Sequence, residues 1–149
     1  MKYASMFMVA LAIGSTSAAC TADGPSIEGE ARLAPQGEKA GAFFVIRAVP
    51  DHPDGFEPHR VYHGDEALFA TFHADSIEFP FQFRLEGEET ASMDQPWLLL
   101  AWFANEPTPE WIAPGQTFGA IQFEFTHVSH GASYADGLEV MVDETAPPP

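Results

Sequence analysis

The stretch FPFQFRLE, residues 79–86, has an apolar side chain at every second position, with polar residues or proline between them. Successive side chains of a β-strand point to opposite faces of a sheet, so this alternation predicts a strand with one buried face. Pro80 lacks the N–H that a central strand needs, and it predicts an edge position or a bulge. The same period of two recurs over residues 121–126 and 138–143. These stretches predict a protein built from sheets.

Two further segments, FFVI over residues 43–46 and WLLLAWF over residues 97–103, are apolar on both faces. Strands of this kind belong in the middle of a sheet, or they have a second covered surface. Residues 27–33 and 68–73 are also predicted as strands. The total is about seven strands over residues 27–143, and no stretch shows convincing helical periodicity.

Seven short strands within residues 27–143 predict an all-β domain, an Ig-like β-sandwich of two sheets. A small barrel is the alternative arrangement. Glu144–Pro149 (ETAPPP) is predicted as a Pro-rich tail that does not join a sheet, because proline has no N–H to donate.

Residues 1–19 have the layout of a secretory signal peptide. Met1-Lys2 is a short positive start, MFMVALAI over residues 6–13 is an apolar core, and small residues occupy positions 14–19. The apolar core is too short to span a bilayer. We therefore expect an exported protein that faces the periplasm or the cell surface.

Cys20, the only cysteine of the chain, directly follows Ser17-Ala18-Ala19. This junction resembles a bacterial lipobox, although Ser17 stands where a lipobox usually has leucine. The resemblance implies cleavage before Cys20 and attachment of lipid to this cysteine, which makes the membrane a partner of the chain. Residues 20–26 (CTADGPS) would then be the lipidated cysteine and a short polar tether. The alternative is ordinary cleavage near Ala18 or Ala19, which leaves a free thiol.

The charge of the mature chain is strongly negative. Loss of the leader removes Lys2 and no acidic residue, which leaves 5 Lys and Arg against 22 Asp and Glu, a formal charge of −17. Such a surface repels nucleic acid and anionic headgroups, so neither is expected as a partner. With the one cysteine assigned to the anchor, disulfides and Cys-based zinc sites are excluded. Stability must come from a core, and about 130 residues suffice for one domain.

The histidines are the candidates for metal binding. His52, His59 and His63 lie in an acidic segment, residues 50–66, but their spacing dictates no coordination geometry. His127 and His130 form an H-x-x-H pair at the end of a predicted strand. Residues three apart on a strand point to opposite faces, so this pair shares a metal only if the chain bends between them. Exposed loop histidines are the competing interpretation.

Catalytic patterns are missing from the sequence. It contains no G-x-S-x-G, no glycine-rich phosphate loop and no H-E-x-x-H motif. Carboxylates are abundant, for example at Glu86, Glu88 and Glu89, but abundance alone does not place two of them across a scissile bond. We expect the protein not to be an enzyme and to use no cofactor.

The tryptophans are the candidates for partner binding. Trp97 and Trp102 fall on opposite faces of one strand, so one should be buried. The other either packs under a loop or contributes to an apolar surface patch that would mark a partner site. Trp111 lies in a Pro-rich loop, where a large aromatic side chain serves either packing or binding.

Six pieces of the chain, in order, resemble the C-terminal Ig-like domain of cytochrome c-type biogenesis protein H, the CycH type. The family's strands, its methionine-containing loop and its P-G-x-x-x-G turn correspond to these segments: Ile27–Ala31, Phe43–Ala48, Ala67–Phe72 with Pro80–Leu85, Ser92–Trp102, Pro114–Gly119 and Leu138–Asp143. The family has arginine where this chain has Trp102. The resemblance implies an Ig-like fold and a periplasmic role in delivering apocytochrome for haem attachment. A more distant likeness is to pilotin lipoproteins of type III secretion.

From these observations we expect a non-catalytic, membrane-tethered envelope lipoprotein that acts as a protein-interaction module, accessory to cytochrome c maturation. One alternative is a metal- or small-ligand-binding lipoprotein that uses the His52–His63 segment. Another is a pilotin-like secretion lipoprotein.

Overall fold

The computed structural model describes residues 24–35, 37–62, 64, 66–129 and 131–149. The predicted leader, its cleavage site and Cys20 therefore lie outside the described residues. The same is true of two of the candidate metal ligands, His63 and His130.

The described residues form eight β-strands and two short 3-10 turns, Ala74–Ser76 and Ala91–Asp94. The strands are β1 (Ser26–Leu33), β2 (Phe43–Pro50), β3 (Leu68–His73), β4 (Phe81–Glu86), β5 (Trp97–Ala104), β6 (Thr117–Phe123), β7 (Tyr134–Val142) and β8 (Glu144–Thr145). Across the same part of the chain, no helix has the length and apolar character needed to cross a bilayer.

The strands form two sheets. One has three strands in the order β4-β1-β7, and the other has five in the order β3-β2-β5-β6-β8. Neighbours pair antiparallel except β1 and β7, which run parallel. The all-β, two-sheet sandwich predicted from the sequence is confirmed, with eight strands where about seven were predicted.

The main core lies between the two sheets. On β4, Phe83 and Leu85 are buried in it while Gln82 and Arg84 are exposed, as the alternation in the sequence predicts. Aromatic rings pack edge to face across the gap, for example Phe44 on Phe79 with ring centroids 5.2 Å apart. The edge position predicted from Pro80 is also found, because β4 is an outer strand of its sheet.

The outer face of the three-stranded sheet is a charged, solvated surface. Arg32 of β1 bonds to Glu139 of β7 at 2.7 Å. Arg84 of β4 bonds to Glu86 at 2.7 Å and also reaches Glu28 of β1. Exposed ion pairs contribute little to stability, at most about 1 kcal/mol each. Ion pairs therefore span the three strands of this face, on which Tyr134 and Met141 of β7 are also exposed.

The outer face of the five-stranded sheet is covered by two segments, residues 51–67 and 105–116, which we call the roof loops. They meet over the sheet, where Tyr62 N donates to Glu110 O and Ile112 N donates to Pro58 O at 2.9 Å. A second apolar cluster is buried beneath them. It contains Val45, Val49, Tyr62, Leu98, Leu100, Trp102, Ala104, Ile112, Phe118 and Ala146. The second covered surface predicted for the doubly apolar strands is therefore confirmed.

The C-terminal prediction is wrong in part. Glu144–Thr145 forms β8 and pairs with β6, and Ala146 is buried with its N–H donating to Gln116 O at 2.9 Å. These three residues precede the prolines and keep their N–H groups, so they can join the sheet. Pro147–Pro149 have no backbone hydrogen to donate and are exposed.

The end of the predicted tether belongs to the domain. Pro25 is buried and its carbonyl accepts a hydrogen bond from Gly87 N at 3.2 Å. At Gly24 a Cβ would overlap the carbonyl of Gly87, so only glycine fits this close approach. The tether predicted over residues 20–26 is therefore shorter, because the chain is packed from Gly24 onward.

Candidate functional site

Trp97 and Trp102 are both fully buried. Trp97 faces the space between the sheets, where its ring lies 5.2 Å from Phe125 and its Nε1 donates to Ser92 O at 3.1 Å. Trp102 faces the roof loops, which cover it. Of the two alternatives for the outward tryptophan, packing under a loop is the one found. Their assignment as partner-binding residues is corrected, because neither offers surface to a partner.

Trp111 is 39% exposed, and two other large apolar side chains are exposed in or beside the roof loops: Val61 at 54% and Phe69 at 46%. Trp111 lies between the two points where the roof loops bond to each other, and Val61 directly precedes Tyr62 at one of them. Phe69 is on the outer face of edge strand β3. We call Val61, Phe69 and Trp111 the apolar roof patch. Val128, Tyr134 and Met141 are exposed to a similar extent outside the roof loops. An apolar patch marks a binding surface when its members are contiguous.

Arg47 is the charged residue at the centre of this face. It lies on β2 directly opposite Phe69 of β3, and it is only 3% exposed. Its guanidinium carbon lies 5.1 Å from the Phe69 ring and 5.7 Å from the Trp102 ring. Nη1 donates to Tyr62 O and, at 2.8 Å, to Pro109 O. Arg47 therefore binds one carbonyl from each roof loop.

Three buried side-chain donors have no hydrogen-bond acceptor among the described residues, and all three are on this face. They are Nε of Arg47, Nε of Arg60 and Nε1 of Trp102. An unpaired donor in a buried position costs about 1–3 kcal/mol, so native structures rarely retain one without a partner. The covered face thus has unused capacity to donate hydrogen bonds.

Burial also shifts two ionisation equilibria here. It lowers the pKa of the Arg47 guanidinium to about 10, an effect that the carboxylate of Glu110 opposes. It raises the pKa of the Tyr62 phenol above its usual value, against a hydrogen bond from the Glu57 backbone. Both directions follow from the cost of placing a charge in a poorly solvated position.

Two cavities open on this face. The larger, of 460 Å³, lies beside the first roof loop, over an apolar floor that includes Val49 and Leu98, and is bordered by Asp51, His52 and Arg60. The smaller, of 230 Å³, is lined by residues of β2, β3 and both roof loops: Arg47, Gly64, Ala67, Phe69, Thr108, Pro109 and Glu110. The two share Gly64 and Ala67, so they adjoin each other on the same side of the sandwich.

Two of the candidate metal ligands, His52 and His59, contact residues of their own loop. His52 Nδ1 accepts a hydrogen bond from Asp54 N at 3.0 Å, and His59 Nε2 lies 3.0 Å from Glu57 Oε1. Within the described part of the chain, no three His, Cys, Asp or Glu side chains are placed to hold a metal ion. The third candidate ligand, His63, lies outside that part.

A serine, a histidine and an aspartate meet where the segment before β5 contacts the segment before β7. His127 Nδ1 is 2.8 Å from Ser133 Oγ, and His127 Nε2 is 3.2 Å from Asp94 Oδ1. The spacing is that of a hydrolase triad, but Ser133 is buried and its hydroxyl donates to Glu89 at 3.1 Å. A second carboxylate at the hydroxyl would repel the oxyanion of acyl transfer. These contacts connect Glu89 and Asp94, in the segment before β5, to His127 and Ser133, in the segment before β7.

Comparison with protein-family models, with curated proteins and with solved structures found no match to this chain.

Sequence reasoning missed Arg47, although a signal for it exists. It is the one charged residue in the stretch FFVIRAVP over residues 43–50, which is otherwise apolar. A charged side chain in a strand that is buried on both faces needs hydrogen-bond acceptors from other segments. It therefore predicts that other parts of the chain pack against the strand at this position. The sequence does not show which segments these are; in the structure they are the two roof loops.

Proposed function

We propose that this protein is a non-catalytic, membrane-tethered lipoprotein of the cell envelope that acts as an interaction module through its roofed face. The observation that carries the proposal is the apolar roof patch. Val61, Phe69 and Trp111 are exposed on the roofed side of the sandwich. The other sheet surface carries the ion pairs of Arg32 and Arg84, with Tyr134 and Met141 also exposed on it. Tryptophan at the centre of a desolvated contact is the residue type that contributes most to protein–protein affinity.

The position of the tether supports this use of the face. The chain enters the domain at the end where Pro25 contacts Gly87 and where Ser26 N donates to Ser133 O at 3.1 Å. Cys20 precedes the first packed residue, Gly24, by only four positions. A lipid on Cys20 would hold this end next to the bilayer. The roofed face runs along the strands, so it would stand beside the anchored end and stay open to a partner in the same membrane.

Tethering would supply most of the apparent affinity. A protein confined to a membrane surface meets other membrane proteins at a raised effective concentration, so a patch of modest area suffices. The strong negative charge adds selectivity, since it repels acidic partners and favours basic ones.

The interaction is tested with a photo-crosslinking amino acid placed at position 111 in the living cell. The matched control is position 141 on the three-stranded sheet, because Met141 is also 39% exposed. We expect one discrete cross-linked band from position 111 and none from position 141, with the band lost in the Val61→Ser, Phe69→Ser double variant. Equal cross-linking from both positions would contradict the proposal.

The anchor is tested separately. Cys20→Ala should move the protein from the membrane fraction to the soluble fraction, because the sulfur is the attachment point for the lipid. Unchanged partitioning would refute lipidation while leaving the cross-linking result to stand by itself.

The pathway proposed from the resemblance is cytochrome c maturation. The matching segments run through the whole sandwich, from β1 to β7. Deletion of the gene should lower the amount of covalent haem in c-type cytochromes on a denaturing gel, and the wild-type gene should restore it. Unchanged haem staining would contradict this assignment, and a defect in the assembly of a secretion apparatus would favour the pilotin-like alternative.

A second candidate function is the binding of a small ligand in the 460 Å³ cavity. This volume falls within the range of ordinary ligand pockets, about 300–1,000 Å³. The cavity lies beside the predicted His- and Asp-rich segment, and Asp51, His52 and Arg60 contribute to its lining. A ligand found by fragment titration should shift the backbone amide signals of Gly55 and Leu98, but not that of Leu138. Leu98→Trp, which fills the floor, should abolish the effect. Stoichiometric uptake of copper or zinc would instead favour the metal-binding form of this function.

A further inference from the structure

We propose that the free edge of β3 takes up an extended, basic segment of a partner protein, which adds to the five-stranded sheet as a further strand. The inference rests on the proposed interaction function, because Phe69 belongs both to β3 and to the apolar roof patch. It adds to that function the backbone groups that bind and the chemical class of the partner.

The first support is the direction of the backbone groups of β3. It is an outer strand, and among the described residues it pairs only with β2. Just beyond the strand, Ala74 N donates to Ala42 O at 2.9 Å in the same antiparallel register. In such a ladder, residues that bond to the neighbouring strand alternate with residues whose N–H and C=O point away from it. Because Ala74 bonds on the β2 side, Phe69, Thr71 and His73 present their backbone groups outward.

Two hydrogen bonds at the ends of β3 agree with this direction. His73 O accepts from Ser76 Oγ at 2.8 Å, and Ala67 N donates to Gly64 O at 3.2 Å, so both groups point away from β2. Between them, the backbone N–H and C=O groups of the other two outward residues make no hydrogen bond to a described residue on that side. These four groups form a template for another strand.

The second support is that β3 lacks the features that keep edge strands from pairing, which are charged residues, proline, bulges and short length. The edge strand β4 carries Arg84 and Glu86, β7 carries Glu139 and has a register shift against β1, and β8 has only two residues. By contrast, β3 (LFATFH) contains no Lys, Arg, Asp, Glu or Pro, and it keeps one register with β2 over all six residues. Of the four edges that the described residues form, β3 is therefore the one open to pairing.

The third support is the charge around β3, which selects a basic segment. Exposed carboxylates lie at both ends of the strand, with Glu66 shortly before it and Asp75 in the turn after it. Glu110 is exposed on the second roof loop and borders the 230 Å³ cavity beside the strand. Of the nearby cations, Arg47 is only 3% exposed, and the ammonium of Lys39 donates to a backbone carbonyl at 2.6 Å. A segment that carries lysine or arginine is therefore complementary to this edge.

The same charges disfavour a second copy of this chain as the occupant. Two-fold pairing of β3 with its own copy would bring Glu66 of one chain near Asp75 of the other, and like charges across a strand pair are destabilising. Each copy also carries a strong net negative charge. The occupant is therefore a different protein of opposite charge.

The test uses as its probe an eight-residue peptide of alternating lysine and valine, capped at both ends. Titration of the purified full chain in non-ionic detergent is followed through the backbone amide signals in NMR spectra. We expect saturable binding that shifts the amide signals of Phe69 and Thr71 and slows their hydrogen exchange. The amide of Ala70, which already bonds to β2, should change less.

Two control peptides separate the contributions of charge and backbone. One has glutamate in place of lysine, and the other is the lysine peptide N-methylated at every residue, which keeps the side chains and charges but has no N–H along its backbone. Each should bind about tenfold more weakly than the lysine peptide, since one loses the charge attraction and the other loses backbone hydrogen bonds.

A pair of variants tests the edge from the side of the protein. Thr71→Pro and Thr71→Val both remove the hydroxyl that donates to Pro107 O, but only proline removes the outward N–H. Proline is accepted at an edge position whose N–H faces away from the sheet. Thr71→Pro should bind the lysine peptide about tenfold more weakly than Thr71→Val. If Thr71→Pro does not fold, the N-methylated peptide with the wild-type chain decides the same point.

Absence of a saturable shift at Phe69 and Thr71, or equal affinities for the three peptides, would overturn the proposal. Protection of these two amides that rises with protein concentration before peptide is added would assign the edge to a second copy and overturn it as well. The proposed interaction function fails separately, if position 111 gives no specific cross-link. A specific cross-link at position 111 that persists in Thr71→Pro, together with no peptide binding, would remove strand addition alone.

Discussion

Arg47 places a full positive charge beneath two loops, where an ion loses several kcal/mol of hydration. The structure offsets this loss with two backbone carbonyls and two aromatic rings, those of Phe69 and Trp102. The carbonyls belong to Tyr62 and Pro109, which lie in different loops. One side chain therefore connects the sheet to both roof loops, and the stability of the roofed face depends on it.

Removal of this connection should destabilise the protein. Arg47→Met keeps most of the packing volume but leaves the carbonyls of Tyr62 and Pro109 without a donor, and we expect a loss of about 2–3 kcal/mol. The matched control is Arg84→Met, which breaks exposed ion pairs to Glu28 and Glu86 and should cost at most about 1 kcal/mol. Urea unfolding measures both. A variant Arg47→Met as stable as the wild type would mean that the buried charge costs as much as its hydrogen bonds contribute.

Tyr62 predicts a dependence of stability on pH. Because its pKa is raised in the folded protein, the unfolded chain loses the phenol proton at a lower pH than the folded chain does. The stability from this shift is complete below the ordinary tyrosine pKa of about 10 and is lost as the pH rises through the folded value. The difference in unfolding free energy between wild type and Tyr62→Phe should therefore shrink above about pH 10. A difference that stays constant from neutral pH into this range would contradict the shift.

Among the elements, β5 and β8 show how much burial depends on what covers a strand. Every residue of β5 is buried, because β2 and β6 flank it, the main core lies on one side and the roof loops lie on the other. The strand β8 has only two residues, yet it closes the edge beyond β6. Ala146, directly after it, is buried, donates to Gln116 O and accepts from Gly115 N at 2.8 Å.

Two truncations test the role of β8. Removal of residues 144–149 breaks the pairing with β6 and uncovers the second cluster at Phe118, so we expect a loss of about 2–3 kcal/mol. Removal of Pro147–Pro149 alone takes away exposed residues and should change stability by less than about 0.5 kcal/mol. Thermal unfolding of the two truncated proteins gives the comparison. Equal melting temperatures would show that β8 contributes nothing.

At the scale of the whole molecule, the sheets approach each other closely where β6 meets β7. Asp143 N donates to Phe118 O at 3.2 Å, so the chain crosses from one sheet to the other at this corner. At Gly119 a Cβ would overlap the carbonyl of Met141, and the obstacle is backbone rather than a flexible side chain. The absence of a side chain at Gly119 sets the distance between the sheets here.

Gly119→Ala should therefore destabilise the sandwich by about 3 kcal/mol, because the two sheets must separate to admit the methyl group. The control is Gly137→Asn. Gly137 has a φ of +69° but nothing lies within 4 Å of its Cβ position, and asparagine tolerates this backbone region. Its cost should stay near or below about 1 kcal/mol. Chemical unfolding of both variants is the measurement, and a larger loss at position 137 would assign the effect to backbone conformation instead.

The strands were predictable because their signal is local. Alternation over residues 79–86 and 138–143 predicts a strand with one buried face. The doubly apolar stretch over residues 97–103 predicts a strand with two buried faces. The errors fall at strand ends. The predicted strand over residues 121–126 begins four positions earlier, at Thr117, since Gly119 and Ala120 interrupt the alternation while their backbone pairs with β5.

The candidate site was less predictable, because it depends on contacts between distant segments. Trp111 was identified from its place in a Pro-rich loop, and it is exposed. Trp97 and Trp102 were assigned to a partner surface although both are buried, since the sequence does not show which loops lie over the sheet. Arg47 was not selected at all. Its importance comes from Tyr62 and Pro109, which lie 15 and 62 positions away along the chain.

The amino-acid sequence by itself determined the all-β class, the two doubly apolar strands and the one cysteine available to an anchor, because each follows from side-chain period or composition. The tertiary structure alone decided which face is roofed, which tryptophan is exposed and where the unpaired donors of Arg47, Arg60 and Trp102 collect. The physical reason is that alternation records how many faces of a strand are buried, whereas the identity of the covering segment is set by long-range backbone hydrogen bonds that no local pattern encodes.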